Sequence, residues 1–281
     1  MEAKDQRTRT GYEELAMIDD IELRELSVET GVPVGTIEKD LAITCILLAI
    51  SANRLHAHLV FKGGTAIKKA YYPESRFSED LDFTAVSLEE EEATRLLKTL
   101  SNTEVNSITF GEVKEDSYTR EGLGYRLPFT GPLNYRNSIR IDLSFREDVI
   151  LDIEERGIIS NYSEDLSSTV NCLSFIELMA EKMRATMTRE SPRDYYDLWA
   201  HLTKISDKDN LRSLAQRKCA ATGYAYDPLR IFEDATLRRI DSAWKTQLQH
   251  LIPSYIEFAA ILPQLREETN FMFEDSETQA N

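Results

Sequence analysis

Apolar and polar positions divide the chain into an alternating first part and a helical second part. Leu59, Val60 and Phe61 stand together and stop at Gly63 and Gly64, the mark of a short buried strand entering a sharp turn. Thr65 and the helix formers Ala66 to Ala70 follow, which predicts a helix with Thr65 as its N-cap. In RFSEDLDF, Leu81 and Phe83 alternate with Asp80 and Asp82. A strand there buries the apolar pair and sets both carboxylates on one face. Ile139, Ile141, Leu143 and Phe145 alternate in the same way with Arg140, Asp142 and Ser144, predicting a core strand with Asp142 on its polar face. SITFGEVKED and YTREGLGYRLPFTGP, set off by Gly and Pro, read as further extended segments of an antiparallel sheet region.

Helical spacing surrounds these strands. After polar residues 1 to 10, Tyr12 to Leu26 reads as a short helix. SVETGVPVGTIEKDLAITCILLAIS has the outline of a helix-turn-helix, with Gly31 and Pro33 between two helices and Thr36 capping the second. Leu41 to Ile50 is almost wholly apolar, however, and keeps no polar face for a groove, so a core helix and no DNA binding are expected. Ser87 to Leu100 reads as an acidic surface helix capped by Ser87. NYSEDLSSTVNCLS leads into helices only, which sets a boundary near residue 165 and two domains, 1–165 and 166–281. In the second, Ser174 caps a helix with Glu177 at its third position, Met179 and Met183 facing the core and Lys182 at the rim of that face. Pro192 opens another helix, on which Asp194 and Asp197 are neighbours on one face. Residues 207–266 read as further helices, and FEDSETQAN as a polar tail. The fold class is α+β: a mixed or antiparallel sheet flanked by helices, followed by a helical domain.

Composition narrows the partners. At 281 residues and 42% hydrophobic, the chain can bury a large core, but a formal charge of −16 and a pI near 4.8 argue against bulk electrostatic coating of nucleic acid. An RNA substrate then needs a local basic strip, for which Lys182, Arg184, Arg189 and Arg193 are the candidates. Cys45, Cys172 and Cys219 form neither a disulfide framework nor a CxxC pair, which fits a reducing compartment. His56 and His58 flank Ala57 without a carboxylate cluster nearby and read as structural. With no secretion signal and no apolar run of membrane-spanning length, a cytoplasmic location and no membrane partner are expected.

The chemistry lies in two blocks. The glycine turn offers free backbone N–H groups beside a hydroxyl, suited to a triphosphate, and Asp80 and Asp82 can share hard cations. Magnesium takes a few carboxylate oxygens and completes its shell with water and phosphate. The order of strand, GGT, helix and RFSEDLDF resembles the signature of the polymerase-beta-like nucleotidyltransferase superfamily. It is most similar to the AbiEii/AbiGii-type toxin family, in which FKGGTAIKKAY followed by RFSEDLDF recurs almost as written here. Fourteen residues separate Thr65 from Asp80, at the long end of the superfamily's usual gap, which a longer helix or loop would absorb. IEKDLAITCILLAIS and EKMRATMTRESPRDYYDL extend the resemblance, which covers roughly residues 30 to 200.

The resemblance implies transfer of a nucleoside monophosphate from an NTP to RNA, with the tRNA 3′ acceptor end as target, by the toxin of a type IV pair with a cognate antitoxin. It implies Mg2+ or Mn2+ on Asp80, Asp82 and a third acid, Asp142, which also takes the proton from the attacking hydroxyl. Lys62, Gly63, Gly64, Thr65, Lys182 and Arg193 would bind the nucleotide, and Asp194 or Asp197 would order the lysine and arginine or assist the metal site. Each assignment has a plainer counterpart. Asp142 can be an exposed acid paired with Arg140 or Arg126, and RDYYDL an interhelical ion-pair network with Tyr195, Tyr196 and Trp199 as core aromatics. γ-Phosphoryl transfer to a protein, or a non-catalytic nucleotide- or partner-binding module, are the alternative functions.

Overall fold

The computed structural model describes residues 18–118, 122–163 and 166–273. The first residues of the expected Tyr12–Leu26 helix, residues 1 to 10 and all but the first residue of the C-terminal tail lie outside that range. Asp19 caps α1 (Asp20–Thr30), and α2 (Val34–Ser51) follows directly behind Pro33. Thr36 therefore sits within the first turn of α2 rather than capping it, and its hydroxyl donates to the carbonyl of His250. Leu41, Ile43, Cys45, Ile46 and Leu47 are fully buried, as a core helix requires.

The chain then enters the sheet through β1 (Leu59–Lys62), one turn of helix α3 (Gly63–Ala66), a π-turn over Ile67–Tyr71, and β2 (Asp80–Ala85). The acidic surface helix is α4 (Glu90–Leu97), headed by Glu89 rather than Ser87. The short strands β3 (Glu104–Val105), β4 (Ile108–Phe110) and β5 (Lys114–Tyr118) precede the long β6 (Gly122–Thr130) and β7 (Arg136–Ser144). β8 (Glu154–Gly157) and β9 (Thr169–Cys172) complete a nine-stranded sheet of order β3-β4-β6-β7-β2-β1-β9-β8, with β5 beside β6.

β2 pairs antiparallel with β1 and parallel with β7, so the sheet is mixed and β2 runs through its middle. The boundary expected near residue 165 falls outside the described residues, and β9 still belongs to the sheet, parallel to β1 at Phe61↔Cys172. Helices alone follow: α5 (Phe175–Thr188), α6 (Pro192–His201), α7 (Lys208–Ala221), α8 (Asp234–Leu248) and α9 (Phe258–Glu268). Buried apolar side chains run without a break from the sheet into these helices, including Met179, Met183, Tyr195 and Trp244, so both parts share one core. Among the described residues no helix is long and apolar enough to cross a membrane.

Candidate active site

The glycine turn is shaped by what lies against it. Gly63 takes a left-handed φ of 78°, and a Cβ there would fall 2.3 Å from a carboxylate oxygen of Asp82. The helix begins at Gly63, so Thr65 occupies its third position and is not the expected cap. Its buried hydroxyl donates instead to the backbone carbonyl of Asp80, tying the turn to the start of β2. α3 is a single turn, and the π-turn that follows, with the loop to residue 79, takes up the long gap between Thr65 and Asp80.

The β2–β7 register sets Asp82 opposite Asp142 and Asp80 opposite Arg140. Asp80, Asp82 and Asp142 therefore come to one face although Asp142 is far along the chain. Burial, and the charges of Asp142 and Asp80 close by, push the Asp82 carboxyl up to about 6. Asp80 is raised as well, chiefly by burial. Asp142 faces Asp82 in that register, and it also has the arginine partner of its plainer counterpart: Arg140 Nε donates to both of its oxygens at 2.9 and 2.8 Å. Arg126 instead pairs with Asp116.

Across from the acids stands a cationic wall built on α5 and α6. Lys182 lies 2.8 Å from Asp194 and 2.8 Å from Asp197. Arg189 forks onto Asp194 at 2.7 and 3.2 Å, and Arg76 forks onto Asp197 at 2.8 Å through both nitrogens. Three cations thus surround two carboxylates, leaving the network one positive charge in excess. Burial alone would lower the Lys182 pKa, but Asp194 and Asp197 outweigh it and hold the ammonium charged. Burial would likewise raise Asp194, but Lys182 and Arg189 keep its carboxyl far below the ordinary carboxylate range. Lys182, expected at a rim, is buried to 7% exposure, because two aspartates on the facing helix solvate its charge. Arg193 reaches Glu79 and, at 3.8 Å, Asp80, bridging the cationic wall to the acids. Of the three expected core aromatics only Tyr195 is fully buried, donating to the carbonyl of Ile231, while Tyr196 and Trp199 are half-buried and pack against the core from its edge.

A cavity of about 370 Å³ lies between the two walls, and Asp80, Asp82, Asp142, Lys182, Arg189, Arg193, Asp194 and Gly64 all line it. Lys62, Gly63, Thr65 and Asp197 do not. Lys62 pairs with Glu147 and lines a second cavity, of about 200 Å³, to which Asp82 and Asp142 also contribute. Arg184, grouped with the basic strip, also turns to Glu147, at 3.3 Å. Ser174 heads α5 without a capping bond, and the Glu177 carboxylate accepts from the Ile150 and Leu151 amides and pairs with Lys218 instead of closing a capping box. Sequence reasoning missed Arg76 and Glu147. Arg76 was within sight, because it begins the RFSEDLDF block; Glu147 has no local pattern to mark it.

Among the described residues no three acidic, histidine or cysteine side chains converge tightly enough to form a ready-made metal cluster. The donor set nevertheless suits magnesium, which needs only one or two protein carboxylates beside phosphate and water. Burial first, and the neighbouring Asp142 and Asp80 after it, raise the Asp82 pKa, and a bound cation would oppose both effects.

A sequence profile described as the nucleotidyl transferase AbiEii toxin of type IV toxin–antitoxin systems matches residues 45–267. Among solved structures, the chain is similar to MenT4, a nucleotidyltransferase toxin from Mycobacterium tuberculosis H37Rv. That match has a TM-score of 0.74 and 19% identity over 92% of this chain and 91% of that one. It is also similar to JHP933 from Helicobacter pylori, with a TM-score of 0.57 and 15% identity over 86% and 93% of the two chains. At such identities these structures speak for the fold. No curated protein sequence matches the chain.

Proposed function

Because this chain belongs to the AbiEii nucleotidyltransferase toxin family of type IV toxin–antitoxin systems, we propose that it transfers a nucleoside monophosphate from an NTP to the 3′ end of an RNA. The target in this reading is the tRNA acceptor end, whose modification blocks translation in the cytoplasm until a cognate antitoxin restrains the enzyme. What supports it is the meeting of three acids from two sheet strands with Lys182, Arg189 and Arg193 across one cavity. The sheet unit supplies the acids and the helical unit the cations, so the cleft lies along the division between them.

The triphosphate lies against Lys182, Arg189 and Arg193, with Ser191 and the Gly64 backbone beside it. Asp194 and Asp197 keep Lys182 charged and fixed before substrate arrives, so little reorganisation accompanies charge build-up on the leaving group. The acceptor 3′ oxygen attacks the α-phosphorus, the bond to the β-phosphate oxygen breaks, and pyrophosphate leaves toward the cationic wall. Asp142, oriented by Arg140, takes the hydroxyl proton. Asp80 and Asp82, with Asp142, would hold magnesium or manganese, whose charge offsets that of the phosphates during transfer.

Supplying NTPs labelled at the α or γ phosphate together with total tRNA and candidate proteins tests the reading. Label from the α position on RNA is the expected result. Label from the γ position on protein would mean phosphoryl transfer, and binding without label a non-catalytic module. Asp80→Ala should abolish transfer while leaving the thermal melt intact; full activity in that variant refutes the assignment of the acids.

A further inference from the structure

Three cavities follow one another through shared lining residues. The cationic one shares Asp82, Arg140 and Asp142 with the second cavity, of about 200 Å³, over β6 and β7. That one in turn shares Glu147 with a third, of about 580 Å³, bounded by Arg146 and the turn at residues 220–224 that ends α7. Tyr224 closes this turn, its amide bonded to the Cys219 carbonyl at 2.9 Å, while its side chain stays 45% exposed. Arg146 is exposed and makes no ion pair with any described residue, whereas its neighbour Glu147 is occupied by Lys62 and Arg184.

We propose that these two outer cavities form the track for the acceptor's single-stranded 3′ end, with Tyr224 stacking on a base and Arg146 holding a backbone phosphate. The inference rests on the nucleotidyl-transfer reading and adds the direction of approach. In-line displacement requires the attacking oxygen to lie opposite the leaving pyrophosphate. Pyrophosphate leaves toward Lys182, Arg189 and Arg193, so the attacking strand must come from beyond Asp142, where the second cavity opens. An exposed aromatic beside an uncommitted arginine is the combination that binds single-stranded nucleic acid without reading its sequence. The other opening from the cationic cavity passes Arg189 toward Thr186, Glu190 and Arg230. It lies on the leaving-group side, carries no aromatic residue, and its Glu190 is taken by Arg239.

Steady-state transfer of α-labelled NTP to an RNA with a free single-stranded 3′ end decides this, with wild type, Tyr224→Ala, Tyr224→Phe, Arg146→Gln and, as control, Arg230→Gln. Tyr224→Ala should raise KM for RNA about tenfold or more, the loss of one stacked base, with KM for NTP and the melting temperature unchanged. Tyr224→Phe keeps the ring and should keep wild-type KM. Arg146→Gln should raise KM and lower the salt slope of RNA binding by about one. An unchanged KM for RNA in both Tyr224→Ala and Arg146→Gln, or an equal rise in Arg230→Gln, overturns the track while transfer by wild type leaves the parent reading standing. A wild type that labels protein and never RNA defeats both.

Discussion

Asp197 offers the sharpest test of what the buried ion network does. It accepts from both Arg76 nitrogens at 2.8 Å and lies 2.8 Å from Lys182, with side-chain exposures of 3%, 3% and 8% in the three residues. Asp197→Asn removes the anion and leaves two cations buried with one neutral oxygen to share. Breaking a buried pair from one side costs about 3–5 kcal/mol, and the oxygen that remains suggests the lower half of that range. At roughly 2 °C per kcal/mol for a chain of this length, the melting temperature should fall by about 6–8 °C. A second variant separates stability from function. Arg76→Met with Asp197→Leu replaces the pair by apolar side chains of similar volume and should recover most of the loss, yet Lys182 then keeps only Asp194 and transfer should remain impaired. Calorimetry and the transfer assay on both variants read the two effects apart. Asp197 and Asp194 have pKa values held below the ordinary 3.8, so their contribution is full above pH 4 and lost as pH falls further. A single variant melting within about 1 °C of wild type would refute the argument that this network stabilises the fold.

Two further outcomes follow from the acids. Asp82 has a pKa raised from 3.8 to about 6, so wild type loses stability as pH rises through that interval, and the cost is complete above about pH 7. In metal-free buffer Asp82→Asn should therefore melt higher than wild type at pH 8, by at most about 3 kcal/mol, and no higher at pH 4, while losing transfer; a lower melting point at pH 8 would contradict it. Gly63→Ala should lower stability by about 1–2 kcal/mol through its left-handed φ and abolish transfer by displacing Asp82. Gly157→Ala, with open space around its added carbon, is the matched control in thermal melts and transfer assays.

Much of this was legible locally. Period-two alternation gave β2 and β7 and the faces of their acids, and Pro192 with the three-residue spacing of Asp194 and Asp197 gave α6 and its polar face. Capping was the weaker guide: Thr36, Thr65, Ser87 and Ser174 all carry capping side chains, and none caps as expected. The helix of Thr36 starts directly behind Pro33 and that of Thr65 at Gly63, and each hydroxyl donates to a carbonyl elsewhere in the chain, of His250 and of Asp80. Lys182 illustrates the same limit. Its helical phase was readable, but its burial follows from two aspartates on another helix, and the arginines that balance them come from two further segments.

The strand pairings explain why the acids meet where they do. Gly124, Asp142, Asp82 and Lys62 are consecutive register partners across β6, β7, β2 and β1, one rung of four adjacent strands. A Cβ at Gly124 would sit 2.8 Å from Asp142 Oδ1, just as one at Gly63, next to Lys62, would crowd Asp82. Each carboxylate thus packs against a position without a side chain, in space that any other residue's Cβ would take. Sliding β7 by one residue against β2 would set Ile141 or Leu143 opposite Asp82 and turn Asp142 to the other face. The core prevents that slip, because Ile139, Ile141 and Leu143 are buried on the opposite side and would have to enter solvent together. The apolar alternation that builds β7 therefore also fixes where its acid stands, and a charge on the solvent face is aligned by hydrophobic burial on the other.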